Sequence, residues 1–256
     1  MDARCPYCET ESPPSRDRMT FCDFCGAWFV WPRPSIEAMR EYYAGHVGGM
    51  PAMPRECREA TAQSKWYEVV AKRLAEHPAM TIADIGAGAM ELAFALSRQF
   101  ANARIDAWDF FSSGVPANLP ERVNARQIDL NSPGARTEPY DIVAAVAVIE
   151  HVIDPLAFLR FLRSMTKPGG ITYVVGPAVD SIASRVMGKH WPFYCPDEHL
   201  TLPTLASIRA AVALSGGGAI ELRHVNVHYS VKYLLRYFRV PLPVGAFELK
   251  MVGVAP

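Results

Sequence analysis

The sequence predicts an α/β protein: a doubly wound, mostly parallel sheet of seven strands, with a small four-cysteine module in front of it. Three observations carry this reading. A β-prone stretch, Thr81 to Ile85, runs into Gly86-Ala87-Gly88 and then into a helix-patterned segment. Strand-like runs recur at 81–85, 104–108, 126–129, 142–148 and 171–175, and helix-patterned stretches separate several of them, the alternation that gives a parallel sheet covered on both faces. Near the start, Cys5-Pro-Tyr-Cys8 and Cys22-Asp-Phe-Cys25 are two C-x-x-C pairs with thirteen residues between them.

Taken in chain order, the cysteines come first. Four thiolates at this spacing can meet tetrahedrally around one zinc ion. Each knuckle puts two sulfurs on one tight turn, and Gly26 eases the second. Disulfides and free core thiols are the alternatives. Disulfides suit a secreted chain, and no charged, then apolar, then small-residue signal precedes Cys5. Cys57 and Cys195 have no partner pattern.

Charge limits what the cysteine module can do. Residues 1–40 hold five arginines against six acids, and the whole chain has 26 residues of each sign. Phosphate neutralisation needs clustered Lys and Arg. No such cluster is present in the sequence, so the module is expected to be a structural cap or part of a substrate lid rather than a nucleic-acid reader. Half the residues are hydrophobic, and the longest apolar runs fall far short of a membrane span. The expectation is a cytoplasmic chain with no membrane contact.

Next, Trp31-Pro-Arg-Pro-Ser35 is a stiff turn, and Ser35 can cap a short helix from Ile36 to Tyr43. Gly45 to Pro54 reads as a linker or mobile loop. A helix is expected from about Glu56 to Glu76, with Trp66 and Tyr67 as core or as a roof over a pocket.

The glycine turn carries chemistry. Glycines remove the Cβ atoms that keep a ligand off the backbone, and the following helix N-terminus adds free N–H groups. That helix shows apolar residues at Leu92, Ala95, Leu96 and Phe100. Asp84 sits two residues before Gly86, and Asp109 closes the next strand-like run, 23 residues after Gly86. This is near the interval of ~20 at which a βαβ unit presents an acid to ribose hydroxyls. Asp106 is the rival, but it falls inside the strand. An anionic or nucleoside-like ligand is expected across the turn; the ordinary alternative is a plain strand-to-helix turn.

Ile142 to Ile149 is continuously apolar, as suits a central buried strand. Asp154-Pro155 reads as an N-cap and first-turn proline. Leu156, Leu159, Leu162 and Met165 follow on one helical face, and Lys167-Pro-Gly-Gly170 stops the helix. Beyond the fifth strand, 180–202 is aromatic, proline-broken and dense in titratable groups, including His190, Tyr194, Asp197 and His199. A helix near Thr204 ends at Gly216-Gly-Gly218, and two more strands are expected around 219–225 and 247–254. Between them lies a basic, aromatic, helix-like insert with Lys232, Arg236 and Arg239.

These motifs together resemble a class I S-adenosylmethionine-dependent methyltransferase. The glycine turn with Asp84 and Asp109 is similar to the family's first motifs. Asp129-Leu130 is similar to its third-strand end, where an aspartate meets the adenine amino group. Glu150-His151-Val-Ile-Asp154-Pro155 is similar to its turn after strand four, and Thr166-Lys-Pro-Gly-Gly170 to its turn before strand five. The Rossmann-like fold is thus doubly supported. One departure stands at Met90, where the family often has a third glycine. The cysteine module followed by Arg33-Pro34 and Tyr42-Tyr43 also resembles a bacterial small-molecule subgroup with a zinc ribbon.

The resemblance implies 1–35 as zinc ribbon, 36–79 as linker and N-terminal helices, and 80–256 as the methyltransferase domain, with lid-like insertions near 180–202 and 228–245. It implies S-adenosylmethionine bound at Asp84, Gly86, Gly88, Asp109, Asp129 and Leu130, and a structural zinc on Cys5, Cys8, Cys22 and Cys25. The expected acceptor is the oxygen or nitrogen of a small metabolite, sugar or natural-product intermediate. His199 is the first candidate for a base and His151 the second, since a near-neutral histidine suits proton removal. The alternatives are a zinc-finger rRNA or tRNA base methyltransferase and a cofactor-binding relative that does not transfer methyl groups. Neutral charge and the lack of an Asn/Asp-Pro-Pro-Tyr/Phe motif after strand four disfavour RNA.

Overall fold

The structure is a computed structural model that describes residues 3–15, 17–45, 62–110, 119–134, 138–218, 220–230 and 241–253; at 62–66, 226–230 and 241–244 it describes the backbone alone. The chain begins with two small hairpins. Strand β1 (Ala3–Arg4) pairs with β2 (Glu11–Ser12), and β3 (Met19–Phe21) pairs with β4 (Trp28–Val30). Helix α1 (Ile36–Gly45) follows, capped by Ser35, whose Oγ accepts the Ala38 N–H at 3.2 Å. The expected linker at 45–54, Cys57 and the start of the helix predicted from Glu56 lie outside the described residues except for Gly45, as does the side chain of Trp66. The rest of that helix is α2 (Ala62–Leu74), and Tyr67 packs against the core.

The main sheet is built from β5 (Thr81–Ile85), β6 (Arg104–Asp109), β7 (Val123–Gln127), β8 (Tyr140–Val146), β9 (Thr166–Pro177), β11 (Ile220–Ser230) and β12 (Pro241–Val252). A two-residue strand, β10 (Thr201–Leu202), belongs elsewhere, on the edge of β4. Spatial order is β11-β12-β9-β8-β5-β6-β7. β5 pairs in parallel with β6 and β8, β6 with β7, and β8 with β9; β12 runs antiparallel to both β9 and β11. The seven strands are those expected, with shifted ends. β7 stops at Gln127, two residues before Asp129. The last two strands are longer than their apolar patterns, because they form a hairpin paired from Ile220↔Met251 to Ser230↔Pro241. The basic insert with Lys232, Arg236 and Arg239 lies outside the described residues.

Alternation along the strands places two cores on opposite faces. Ala83, Ile85, Val143 and Ala145 face one; Ile82, Ile142, Ala144 and Val146 face the other. Helices α2 and α3 (Glu91–Gln99) cover the second face through Val70, Leu74, Leu92 and Leu96. Helix α4 (Pro155–Ser164) and α6 (Leu205–Leu214) cover the first, joined there by Tyr7 and Phe29 of the cysteine module. Each fully buried Leu or Ile side chain contributes about 1.5–3 kcal/mol. The α4 boundary is as the sequence indicates: Asp154 Oδ1 accepts the Ala157 N–H at 3.0 Å, and Leu156, Leu159, Leu162 and Met165 are buried. Lys167 to Gly170 form a bulge rather than a free turn. Tyr140 pairs with Thr166 and Ile142 with Ile171, so the extra residues arch outward. Helix α5 (Ile182–Met187) and a 3₁₀ turn at Gly188–His190 lead back toward β10. No helix among the described residues is long and apolar enough to cross a membrane.

Candidate active site

The order of strand addition reverses between the parallel neighbours β5 and β8: from β5 the sheet grows toward β7, and from β8 toward β9. Ligands in open α/β sheets bind beyond the carboxyl ends of strands at such a point. Gly86 and Gly88 leave β5 there, and Glu150 and His151 follow β8.

The two glycines have different jobs. Both are left-handed, at φ 74° and 52°. A Cβ on Gly86 would lie 2.4 Å from Val148 Cγ2, so this glycine lets the turn after β8 close against the turn after β5. A Cβ on Gly88 would meet nothing within 4 Å, so its face is open. Asp109 holds the turn in shape: its Oδ2 accepts the Gly88 N–H at 2.7 Å and its Oδ1 the Phe110 N–H at 2.7 Å. The Gly86 N–H donates to the Trp108 carbonyl at 2.7 Å. Met90 has φ 65° and is fully buried at the start of α3. The backbone there is one that glycine adopts without cost, and the methionine side chain fills the space beneath it.

Asp84 is buried under this turn, and its Oδ2 has no hydrogen-bond partner. Burial, reinforced by the Asp109 carboxylate and opposed by the Ala93 N–H, pushes its pKa up to about 7. Asp106, the rival, is structural: it accepts from Tyr140 Oη at 2.7 Å and Asn124 Nδ2 at 3.0 Å. Asp129 stands past the end of β7, accepting Arg40 Nε from α1 at 2.6 Å and the Asn131 N–H at 2.9 Å. Leu130 beside it packs partly buried against the core.

Across the reversal point, Glu150, His151 and His199 come together, with one ligating atom from each within 4.8 Å of the others. The imidazoles stack edge to face, centroids 4.8 Å apart. His151 Nδ1 lies 3.1 Å from the Glu198 carbonyl and His199 Nδ1 2.7 Å from the Phe193 carbonyl. A carbonyl only accepts, so each Nδ1 carries the proton and each Nε2 keeps a lone pair. Burial, and then the neighbouring His199, drop His151 to about 3; burial also lowers His199. Both rings are therefore neutral near pH 7. Glu150 is 1% exposed, both carboxyl oxygens lack hydrogen-bond partners, and burial pushes it up to about 8.

Of the other residues singled out in 180–202, Asp197 pairs with Arg18 at 2.6 Å, Tyr194 stacks on Trp28, and His190 is exposed. These three join the segment to the cysteine module or to solvent and not to the histidine pair. Cys195 is partly buried, and burial raises its thiol.

The four cysteines lie together, all four sulfurs within 4.8 Å of one another. Cys5 and Cys25 sulfurs are 3.6 Å apart, as are those of Cys8 and Cys22. Sulfurs ~2.3 Å from one tetrahedral ion would be separated by ~3.8 Å, so the cluster fits a closed four-thiolate site. The knuckles match: Glu9 N–H donates to the Cys5 carbonyl and Gly26 N–H to the Cys22 carbonyl, at 3.0 and 2.8 Å. Both donors have positive φ, 61° and 75°.

This module is fastened to the histidine corner. β4 pairs with β10, two residues past His199. Tyr7 Oη is 2.8 Å from Thr201 Oγ1, which donates to the Ile149 carbonyl at 3.3 Å, and the Thr201 N–H donates to the Glu150 carbonyl at 3.1 Å. Thr204 Oγ1 donates to the Cys25 carbonyl at 2.6 Å. Sequence reasoning did not anticipate Arg40, Tyr7 or Thr201 in these roles; each acts across a separation in sequence that no local pattern marks.

A seven-stranded sheet of this order, with an open glycine turn and strand-end acids at its reversal point, defines an α/β domain of the nucleoside-cofactor-binding class. Residues 58–216 match the family described as "Methyltransferase domain", and the chain belongs to that family. It is similar to the ubiquinone biosynthesis O-methyltransferase of Cereibacter sphaeroides (strain ATCC 17029 / ATH 2.4.9), 33% identical over 101 residues, covering 35% of this chain and 41% of the relative. The Caulobacter vibrioides protein of the same name is 34% identical over 104 residues, covering 37% and 40%. The chain thus spans about two-fifths of the length of these relatives. Its fold is similar to the plantazolicin methyltransferase BpumL in complex with a pentazolic desmethylPZN analog and SAH (TM-score 0.55, 14% identity, 85% of this chain and 90% of the other). It is also similar to human N-acetylserotonin methyltransferase in complex with SAM (TM-score 0.52, 13% identity, 75% and 51%).

Proposed function

We propose that this chain binds S-adenosylmethionine at the β5 turn and transfers its methyl group to an oxygen or nitrogen of a small molecule. The observation that carries the reading is the pairing of an open, Asp109-braced glycine turn with a buried histidine pair across the same switch in strand order. Gly88 leaves backbone open to a ligand, and Asp84 offers an unpartnered buried oxygen beside it. These fit a nucleoside carrying a charged amino-acid tail. When bound, the cofactor supplies an electrophilic methyl carbon on a sulfonium.

The residues do the rest. Asp109 orients the turn and takes ribose hydroxyls, while Asp129 and Leu130 border the adenine; Arg40 must yield or share Asp129 as the base enters. His199, neutral and with a fixed tautomer, presents Nε2 to the acceptor's proton, and His151 holds the adjacent edge. Lowered basicity keeps both free to accept at neutral pH. The cysteine cluster would hold zinc, which would lock the knuckles and, through Tyr7 and Thr201, the His199 segment. Balanced charge, 26 residues of each sign, supports a small-molecule acceptor over RNA.

The test is calorimetry with S-adenosylhomocysteine, followed by labelled-methyl transfer into small-molecule extracts. Binding is expected with the unmutated protein, and no binding refutes the reading. His199→Ala should leave that affinity nearly unchanged while turnover falls ~10²–10⁴-fold; a rise in KM with only a modest fall in kcat would reduce His199 to a shaping role.

A further inference from the structure

The geometry points to a divalent cation site formed by Glu150, His151 and His199, separate from the four-cysteine cluster, which presents the ion to an oxygen-bearing acceptor. The proposal rests on the reading of this corner as the acceptor side of a methyltransferase.

Three features converge. The donors are one carboxylate and two imidazoles, with ligating atoms already within 4.8 Å of one another. Donors ~2.0–2.2 Å from one tetrahedral ion lie ~3.3–3.6 Å apart, so closure draws these atoms together by at most ~1.5 Å. Both Nδ1–H groups are spent on backbone carbonyls, Glu198 for His151 and Phe193 for His199. That arrangement fixes the tautomer and turns the Nε2 lone pairs outward, as histidines on metals do. Finally, Glu150 is 1% exposed with both oxygens unpartnered. A buried polar group left without a partner is destabilising. Between two neutral imidazoles that offer lone pairs, a cation satisfies all three residues at once. His151 is the more accessible of the three, which gives the ion an approach side.

Two nitrogens and one oxygen favour a first-row ion such as Mn²⁺, Co²⁺ or Zn²⁺ over Mg²⁺ or Ca²⁺. Three protein donors leave neighbouring positions open. They suit an acceptor whose hydroxyl has a second oxygen on the adjacent carbon: a vicinal diol, catechol or α-hydroxy acid. The bound hydroxyl gives its proton to water, its oxygen bonds to the methyl carbon, and the carbon–sulfur bond breaks with its electron pair left on sulfur. Products are the methyl ether and S-adenosylhomocysteine. With the ion bound, the His199 Nε2 lone pair is a ligand, and the proton-accepting role proposed above for His199 applies to the site without the ion.

The experiment uses the zinc-loaded 256-residue chain, treated to remove loosely held metal and titrated with Mn²⁺ while the free-ion electron paramagnetic resonance signal is followed. Mn²⁺ competes poorly for thiolates, so the cysteine cluster stays out of the titration. One Mn²⁺ per chain is expected, with affinity at least ~10-fold weaker in Glu150→Gln and in His151→Ala, circular dichroism showing both variants folded. No Mn²⁺ binding, or unchanged affinity in both variants, overturns the site. The same samples are titrated with S-adenosylhomocysteine. Mn²⁺ binding without it leaves the cation site standing and removes the methyltransferase reading; the reverse removes the cation site alone.

Discussion

Replacing Asp84 by Asn should make the protein's stability less dependent on pH. Asp84 is 2% exposed, and burial raises its pKa from 3.8 to about 7. The folded state therefore keeps this proton over a range in which the unfolded chain has lost it. Stability falls as pH rises through that window, from about 4 to about 7, and levels off above it. Each unit is worth about 1.4 kcal/mol, so the full cost is ~4 kcal/mol, of which ~2.5 kcal/mol is incurred between pH ~5 and ~8. The amide does not titrate, and Asp84→Asn escapes this loss. Its N–H group needs a partner in a dry site, at a penalty of about 1–3 kcal/mol that is independent of pH.

Denaturant melts of the ligand-free wild type and variant at pH ~5 and ~8 read the effect directly. Glu150 also titrates, near 8, but is common to both proteins and cancels in the difference. The variant should gain ~2.5 kcal/mol on the wild type between the two pH values, or ~5–10 °C in Tm for a chain of this size. A difference that stays constant with pH would show that Asp84 is ionised in the fold and that the buried, unpartnered oxygen is solvated after all.

Two further outcomes follow from the site. Asp109→Ala should weaken S-adenosylhomocysteine binding by ~1.5–3 kcal/mol, measured by calorimetry, because it removes both the acceptor for ribose and the brace on Gly88. Elemental analysis should find one zinc per chain, lost in Cys22→Ser; hydrogen exchange should then quicken at β10 as well as in the cysteine module, since Tyr7 and Thr204 join the two. Exchange confined to the module would break that link.

The sheet was legible because a buried parallel strand has to be apolar on both faces, as Val143 to Val146 are, and because the helices between carry period-3.6 stripes such as Leu156, Leu159 and Leu162. Strand ends were less so. β7 stops early because its end is set by pairing with Asp109 opposite Gln127, not by its own residues. The Lys167–Gly170 arch combines turn residues with strand pairing, and composition alone registers only the turn. For the glycine motif, the sequence identified the residues while the structure divided their roles: Gly86 makes room for Val148, sixty-two positions away, and Gly88 stays open. Met90 shows the reverse case, a side chain tolerated in a left-handed position because its burial offsets a strain of about 1–2 kcal/mol.

The cysteine module is best understood by what it is tied to. A four-thiolate ribbon needs no partner to fold once its ion is bound, yet this one lends β4 to β10, Tyr7 to Thr201, and the Cys25 carbonyl to Thr204. All three attachments fall within five residues of His199. The segment from Trp191 to Leu200 has no regular strand or helix of its own to hold a ring in place. His199 gains its fixed tautomer from the Phe193 carbonyl, inside that irregular segment, and the ribbon holds the segment at its far end and meets its near end through an exposed ion pair of Lys189 with Asp17 at 2.9 Å. Irregular backbone can present a reacting group accurately only if something rigid supports it. Here that support is the cysteine module, which reaches the segment carrying the His199 imidazole through β10, Tyr7 and Thr204.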